Sequence, residues 1–167
     1  EIWVAKCTYR PSVKYSGGSY AGIESNLVTF RLVANTPIYG GFIGTETSRG
    51  QRNPTLNPTI LSGDIANNDK SGDLSDNAYH VVTADGVVGA TLDGFTITGG
   101  YASGPDNGVV AIVARASTLI SLDYTHNLGA GLWARNGAKV TLNKVLFINN
   151  AVNSSQTTTF TINFPIE

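Results

Sequence analysis

The stretch ATLDGFTITGG at residues 90–100 has a second version, VTLNKVLFINN, at residues 140–150. Asp93 of the first version is replaced by Asn143 in the second. The apolar positions correspond one to one, Leu92 to Leu142, Phe95 to Val145 and Ile97 to Phe147. Similarity at a fixed interval indicates one structural unit stacked on the next. The two stretches therefore predict a repeat architecture.

A third, weaker version, TLISLDYTHN at residues 118–127, lies between these two. It sets the repeat at roughly 25 residues, enough for three short strands and their turns. We therefore expect an all-β fold, a single-stranded parallel β-helix (a solenoid) of about five to seven rungs. The crossover rule for parallel strands favours a right-handed coil. Two inward columns follow from the alignment, one of Leu92, Leu119 and Leu142, the other of Ile97, Tyr124 and Phe147.

Turn-forming residues mark where each rung changes direction. Asp93 and Asn143 are expected at one corner, where their side chains can bond the backbone and their backbone can adopt a left-handed conformation. The pairs at residues 99–100 and 149–150, Gly-Gly and Asn-Asn, are expected at a second corner. Helical periodicity is almost absent, so we expect no helix longer than two turns.

The composition narrows the class of protein. The chain has 167 residues, and charged residues make up 14% of it, well below the roughly 25% usual in soluble domains. The net charge of −1 opposes nucleic-acid binding, which needs a basic stripe. The longest apolar run, at residues 109–114, is too short for a transmembrane segment. The single cysteine, Cys7, rules out an internal disulfide and is expected to pack in the interior.

We expect one domain covering residues 1–167. Residues 1–78 would form loop-rich N-terminal rungs and residues 79–152 regular rungs. Residues 153–167 would form an irregular C-terminal strand or cap, since the repeat pattern ends after Val152.

The run IYGGFIGTETSRGQRNPTLNPTILSGDI at residues 38–65, with YHVV at 79–82 and the stretch at 90–100, resembles a known family. It is similar to the opening of secreted bacterial right-handed parallel β-helix repeat proteins, which are pectate-lyase-like or polymorphic-outer-membrane-protein-like surface proteins. The resemblance covers about residues 2–152. It implies an extracellular or cell-surface protein of bacterial origin.

Two departures from the family pattern stand out. Cys7 occupies a place where the family has glycine, and residues after 152 replace the further rungs and the C-terminal anchor that members commonly carry. The resemblance therefore implies either the N-terminal part of a longer array or a short version with its own cap. It implies a fold more firmly than a function.

Two functions are open. The first is a non-catalytic secreted or cell-surface scaffold, adhesive or glycan-binding, with a polysaccharide as partner. The second is a carbohydrate-active enzyme, a polysaccharide lyase or glycoside hydrolase acting in an outer groove. A lyase needs a cationic base, for which the candidates near the middle rungs are Arg115, Arg135, Lys139 and Lys144. A hydrolase needs two carboxylates across a cleft, and Asp93 and Asp123 fall in different columns of the alignment.

The segment GDIANNDKSGDLSDNAYH at residues 63–80 concentrates carboxylates and amides in one loop. Calcium takes six to eight oxygen ligands from such groups. We therefore expect a Ca²⁺ site formed by Asp64, Asp69, Asp73 and Asp76, with a solvated acidic loop as the alternative. The spacing is not that of an EF-hand.

Four side chains are expected on the outside of the later rungs. Trp133 and Arg135 share a face and would form a ligand or partner contact, with ordinary outer-face packing as the alternative. Leu146 and Ile148 occupy the outward positions of Thr96 and Thr98 and would be covered by the C-terminal segment or by a neighbouring chain. A homodimer through a solenoid end or through residues 153–167 is therefore also open.

Overall fold

Short β-strands make up almost all the regular structure of the protein. The computed structural model describes residues 1–12, 25–102, 115–116 and 130–152. The first eight strands are β1 Ile2–Ala5, β2 Cys7–Tyr9, β3 Phe30–Arg31, β4 Pro37–Phe42, β5 Thr59–Ser62, β6 Val82–Asp85, β7 Val88–Asp93 and β8 Phe95–Thr98. The last six are β9 Tyr101–Ala102, β10 Arg115–Ala116, β11 Leu132–Arg135, β12 Lys139–Asn143, β13 Val145–Ile148 and β14 Ala151–Val152.

Helical structure in the described residues is confined to three short 3₁₀ turns, Ser25–Leu27, Arg49–Gln51 and Asp69–Ser71. The all-β prediction is therefore confirmed. None of these helices is long and apolar enough to cross a bilayer.

The strands form parallel sheets in which non-consecutive strands are neighbours. The first sheet has the order β1-β4-β7-β12, and the third has the order β11-β6-β3. The second has the order β10-β13-β8-β5-β2, and β14 pairs with β9. Every pairing is parallel except that between β10 and β13. From β1 to β8, strands of the first, second and third sheets follow one another in that order. The order resumes at β11, after β9 of the two-stranded sheet and β10 of the second sheet.

The register of the first two sheets produces two apolar columns, which contain the four described members of the predicted columns. Leu92 pairs with Ile38 on one side and with Leu142 on the other. Ile97 likewise lies between Leu61 and Phe147. Leu92, Leu142, Ile97 and Phe147 are all at most 1% exposed, and they lie in one continuous core cluster. Burying an aliphatic or aromatic side chain contributes about 1.5–3 kcal/mol, so these columns hold the sheets together.

The predicted rung at residues 118–127 lies outside the described residues. Strands β7 and β12 are direct hydrogen-bonded neighbours, and Leu92 pairs with Leu142 with nothing between them. Leu119 and Tyr124, the middle members of the two predicted columns, lie outside the described residues. The repeat at this point is 50 residues, as between Asp93 and Asn143. Among the described residues the first sheet has four strands, and the sequence predicted about five to seven rungs for the chain.

Left-handed residues end the strands at the predicted corners. Gly94 has φ +82° and Lys144 has φ +49° at the first corner. Gly99 has φ +69° and Asn149 has φ +51° at the second. At the first corner, the left-handed residue is the one after Asp93 or Asn143. This lets the residues on both sides of the corner, such as Leu142 and Val145, point into the core.

Two other expectations concern the ends of the chain. Cys7 is exposed, so the prediction of an interior thiol is wrong. The physical reason is its place at the start of β2, an edge strand of the second sheet, which in the described part of the chain has β5 as its strand neighbour on one side only. The predicted C-terminal strand or cap at residues 153–167 lies outside the described residues.

Candidate functional site

A groove of about 670 Å³ lies at the corner between the first and second sheets. The beginnings of β5, β8 and β13 form its floor, through residues that include Thr59, Thr96 and Leu146. Residues 52–55 of the loop between β4 and β5 line it as well. Lys144 lies at the corner that precedes β13. The groove is thus built on rigid strand ends, and its lining mixes polar, apolar and cationic side chains.

The corner beside the groove is a stack of paired residues from three strands. Tyr39 of β4, Asp93 of β7 and Asn143 of β12 are aligned in register. The Nδ2 atom of Asn143 donates a hydrogen bond of 3.1 Å to Oδ2 of Asp93. Asp93 and Asn143 thus share one corner, as the sequence predicted, but they bond each other through their side chains, whereas the prediction had them bond the backbone.

Arg52 fastens the loop between β4 and β5 onto this ladder. Its Nη2 atom lies 2.7 Å from Oδ2 of Asp93, and both side chains are at least 90% buried. Its Nη1 atom donates to the carbonyl oxygens of Gly40 and Asp93, at 3.0 and 3.2 Å. The guanidinium carbon is 5.2 Å from the Tyr39 ring centroid, within cation–π range. Arg52 therefore has a structural role in the wall of the groove.

Gly94 and Lys144 occupy equivalent corner positions but have different surroundings. A Cβ atom on Gly94 would lie 2.7 Å from Nη1 of Arg52 and 2.8 Å from Cγ of Pro54, so glycine is required there. Lys144 is exposed in the same left-handed region. A left-handed backbone costs a non-glycine residue about 1–2 kcal/mol. The chain therefore places a lysine on the groove at some cost in conformational energy.

No carboxylate occurs among the described residues that line the groove. The nearest one along the corner, Asp93, is 5% exposed and is engaged by Arg52 and Asn143. Asp123, which the sequence alignment placed in a different column from Asp93, and the candidate cation Arg115 contribute no described side chain. Lys139 begins β12 and is exposed, but it is not part of the described lining. The described lining therefore offers one exposed cation, Lys144.

The acidic loop at residues 64–76 uses several of its carboxylates to hold its own backbone. Asp64 Oδ1 accepts from the amide of Asn68 at 2.9 Å, and Asp76 Oδ2 accepts from the amide of Ala66 at 2.7 Å. Asp73 Oδ1 accepts from the amide of Ser75 at 2.9 Å. These bonds give three of the four predicted calcium ligands a structural role.

The four aspartates do not converge on a single point. Among the residues that the structure describes, no three His, Cys, Asp or Glu side chains are arranged to hold a metal ion. The predicted ligand set of Asp64, Asp69, Asp73 and Asp76 is therefore wrong as a four-carboxylate centre. The physical reason is that Asp73 turns toward Ser75, whose hydrogen bonds lower the pKa of the Asp73 carboxyl.

Asp69 has a different environment from the other three. Burial raises the pKa of its carboxyl, and the negative charges of Asp64, Asp76 and Asp73 raise it further. A hydrogen bond from the Asn77 side chain acts in the opposite direction. Asp69 also packs against the second corner, because a Cβ atom on Gly99 would lie 3.4 Å from Asp69 Oδ2. The acidic loop and the groove thus adjoin opposite ends of β8.

Trp133 is not an exposed contact residue. Its side chain is only 1% exposed, and its ring stacks on His80 with centroids 4.6 Å apart and planes 13° apart. The prediction that Trp133 forms an exposed contact patch with Arg135 is therefore wrong for Trp133. The alternation of side chains along a strand predicts which face a residue occupies, but it does not predict which other segment packs on that face. His80 thus has a structural partner in Trp133. The side chain of Arg135 lies outside the described part of the structure.

Leu146 and Ile148 lie at the positions expected of them. They pair in register with Thr96 and Thr98. Leu146 is half-buried in the groove lining, and Ile148 is 38% exposed. The sequence predicted that residues 153–167 or a neighbouring chain cover these two side chains. Neither is among the described residues, so this stays a prediction.

Arg52 is the site residue that sequence reasoning missed. It lies in a loop with no repeat signal, 41 residues from its partner Asp93. The only indication in the sequence was Asp93 itself, because a carboxylate buried at a corner requires a cation nearby.

Comparison with protein-family models, with curated proteins and with solved structures gives no significant match for this chain.

Proposed function

We propose that this chain is a right-handed parallel β-helix that serves as a non-catalytic secreted or cell-surface scaffold and binds a glycan in the groove beside Lys144. The recurring order of the three sheets and their in-register parallel pairing support a coiled chain. The right-handed crossover rule supports its hand. The resemblance of residues 38–65 and 90–100 to secreted bacterial β-helix proteins supports the location.

The observation that carries the binding proposal is Lys144 at the groove. Within the part of the chain that the structure describes, no carboxylate pairs with it. Strained non-glycine backbone persists where the surrounding structure or function requires it. Since Gly94 meets the same corner requirement without strain, a lysine at this position is best explained by a use for its ammonium group. That use is a charge-assisted hydrogen bond to an anionic or hydroxyl-rich ligand.

The composition of the groove suits a saccharide chain. Thr55 and Thr96 offer hydroxyl groups, and Asn53 is present beside them. Pro54 and Leu146 offer apolar surface for the hydrophobic faces of sugar rings. Ligand sites typically combine such apolar surface with a few convergent polar groups.

Catalysis in this groove has less support. A hydrolase requires two carboxylates across the scissile bond, and the described lining contains none. A lyase could use Lys144 as its base. An assay for unsaturated products on acidic polysaccharides distinguishes that alternative, since their appearance would replace binding by lyase activity as the function.

The first prediction concerns Lys144→Gly. This variant removes the cation and relieves the left-handed strain. We expect its Tm to be no lower than that of the wild type, while affinity for an acidic polysaccharide falls about 10-fold, the equivalent of one charge-assisted bond of about 1.4 kcal/mol. Glycan arrays followed by calorimetry on the hits measure both effects.

The control is Lys139→Gln, which makes the same change in net charge outside the described groove lining. We expect it to bind as the wild type does. Equal losses in both variants would indicate general electrostatic attraction instead of a site at Lys144. Failure of the wild-type chain to bind any glycan would leave a purely structural scaffold.

A further inference from the structure

The acidic loop contains a concentration of buried oxygen atoms that have no hydrogen-bond donor. They are Oδ1 of Asn68, Asp69, Asp76 and Asn77. All four are acceptors on one short stretch of chain. A buried acceptor without a partner loses its hydration and gains nothing in return. Four of them together indicate that a donor or a cation belongs among them.

Asn77 is the strongest of these four observations. It is only 1% exposed and its Oδ1 has no partner. Its side chain lies close enough to Asp69 to lower the pKa of that carboxyl, so the oxygen belongs to the same cluster. The backbone of Asn77 is also held in place, because Asn26 Nδ2 donates a hydrogen bond of 2.7 Å to the Asn77 carbonyl oxygen. A side chain this buried and this well anchored cannot turn its oxygen to solvent.

The surrounding charges also favour a cation. Asp69 lies in the field of Asp64, Asp73 and Asp76. The cation that contacts the loop, Arg10, donates to the backbone oxygen of Asp64 and to the side chain of Asn67 instead of to a carboxylate. The carboxylates near Asp69 thus repel one another with no ion pair among the described residues to offset the repulsion.

We propose that this loop binds a calcium-class divalent cation through the side-chain oxygens of Asn68, Asp69, Asp76 and Asn77. The set mixes two carboxylates with two amides, which suits the oxygen coordination of calcium. It contains no thiolate or imidazole, which zinc and copper prefer. The proposal is independent of the groove.

The cation would stabilise the second corner of the fold. The loop is closed at its base by the bond from the Ala78 amide to the Gly63 oxygen, at 2.8 Å. Asp69 packs against Gly99, which ends β8. An ion held at Asp69 would therefore link the loop to the end of the second sheet, and its binding energy would appear as folding stability.

The test compares the Tm of the 167-residue chain in EDTA and in 10 mM calcium chloride at constant ionic strength. With a dissociation constant of about 0.1 mM, typical of extracellular calcium modules, we expect calcium to raise the Tm by roughly 5 to 10 °C. Magnesium should raise it much less, because it resists dehydration and demands near-ideal octahedral geometry. Calorimetric titration with calcium should give one saturable site.

Asp69→Asn is the decisive variant. It removes one carboxylate and supplies amide donors to the orphaned oxygens, so we expect it to be more stable than the wild type in EDTA and to lose the calcium shift. Asp73→Asn is the matched control, since it changes the same charge in the same loop and its amide oxygen can still accept from Ser75. It gives up only the 3.3 Å bond from Asn68 Nδ2, and leaves the Asn68 Oδ1 atom in place. It should keep the calcium shift. An unchanged Tm in calcium, or a shift that persists in Asp69→Asn, would overturn the proposal.

Discussion

At the scale of single residues, two arginines close to Tyr39 show how burial changes the value of an ion pair. Arg52 and Asp93 have side chains that are 10% and 7% exposed. Arg49 pairs with Glu1 at 3.2 Å, and these side chains are 52% and 39% exposed. Solvent screens the second pair but not the first. The two pairs are therefore expected to differ in what their loss costs.

We predict that Arg52→Leu destabilises the protein by about 3–5 kcal/mol, because it leaves the Asp93 carboxylate buried without its cation. For a chain of this length the loss corresponds to a fall in Tm of about 10 °C. Thermal and denaturant unfolding measure it. Adding Asp93→Asn should recover part of the loss, since the amide carries no charge to bury.

The matched change Arg49→Leu should cost less than about 1 kcal/mol. It removes an arginine beside the same tyrosine, at 4.7 Å from the ring centroid, but from an exposed position. Equal costs for the two variants would show that contact with Tyr39, and not burial of Asp93, accounts for the stability.

At the scale of elements, the corners hold neighbouring turns of the chain together through side chains as well as through the sheets. Asn150 illustrates this, because it lies just beyond β13. Its Oδ1 accepts from the Gly100 amide at 3.0 Å, and its Nδ2 donates to the oxygens of Ile97 and Ile148, at 2.9 and 3.1 Å. The end of β13 is thereby bonded to the end of β8.

We predict that Asn150→Ala destabilises the protein by about 2 kcal/mol, because it leaves the Gly100 amide and the Ile97 oxygen without these partners. The neighbouring Asn149→Gly should be neutral or slightly stabilising, since Asn149 is exposed and has φ +51°. Chemical denaturation of both variants checks the contrast. A comparable loss in Asn149→Gly would locate the effect in the corner backbone and not in the Asn150 amide.

The sequence could predict elements whose cause is local. Alternation of apolar residues placed Leu92, Leu142, Ile97 and Phe147 in the core, and the turn residues near 94 and 99 marked the corners. The sequence could not predict the contacts that loops make with distant segments. The burial of Trp133 against His80 and the pairing of Arg52 with Asp93 depend on how distant segments meet. The weak similarity at 118–127 could not specify a pairing partner, because a short apolar pattern does not fix its register. It therefore could not predict that β7 and β12 pair directly.

At the scale of the whole molecule, the first two sheets connect almost the entire described chain. The first runs from β1 at Ile2–Ala5 to β12 at Lys139–Asn143, through direct parallel pairings. The apolar columns of both sheets belong to one core cluster. Stacked repeats can unfold piecewise when each contacts only its neighbours. A continuous core shared by four strands favours a single cooperative transition instead.

The two tryptophans of the sequence report on opposite ends of this arrangement. Trp3 lies in the edge strand β1 and stacks on Phe42 with centroids 4.9 Å apart, whereas Trp133 lies in β11. Trp133→Phe and Trp3→Phe each leave one fluorescent probe. We predict that in each variant the urea-unfolding curve from fluorescence coincides with that from far-ultraviolet circular dichroism of the same sample. Comparison within a sample removes any difference in stability between the variants. A Trp3 transition at lower urea than the backbone transition would show that the β1 end unfolds on its own, and the single-domain prediction for this chain would fail.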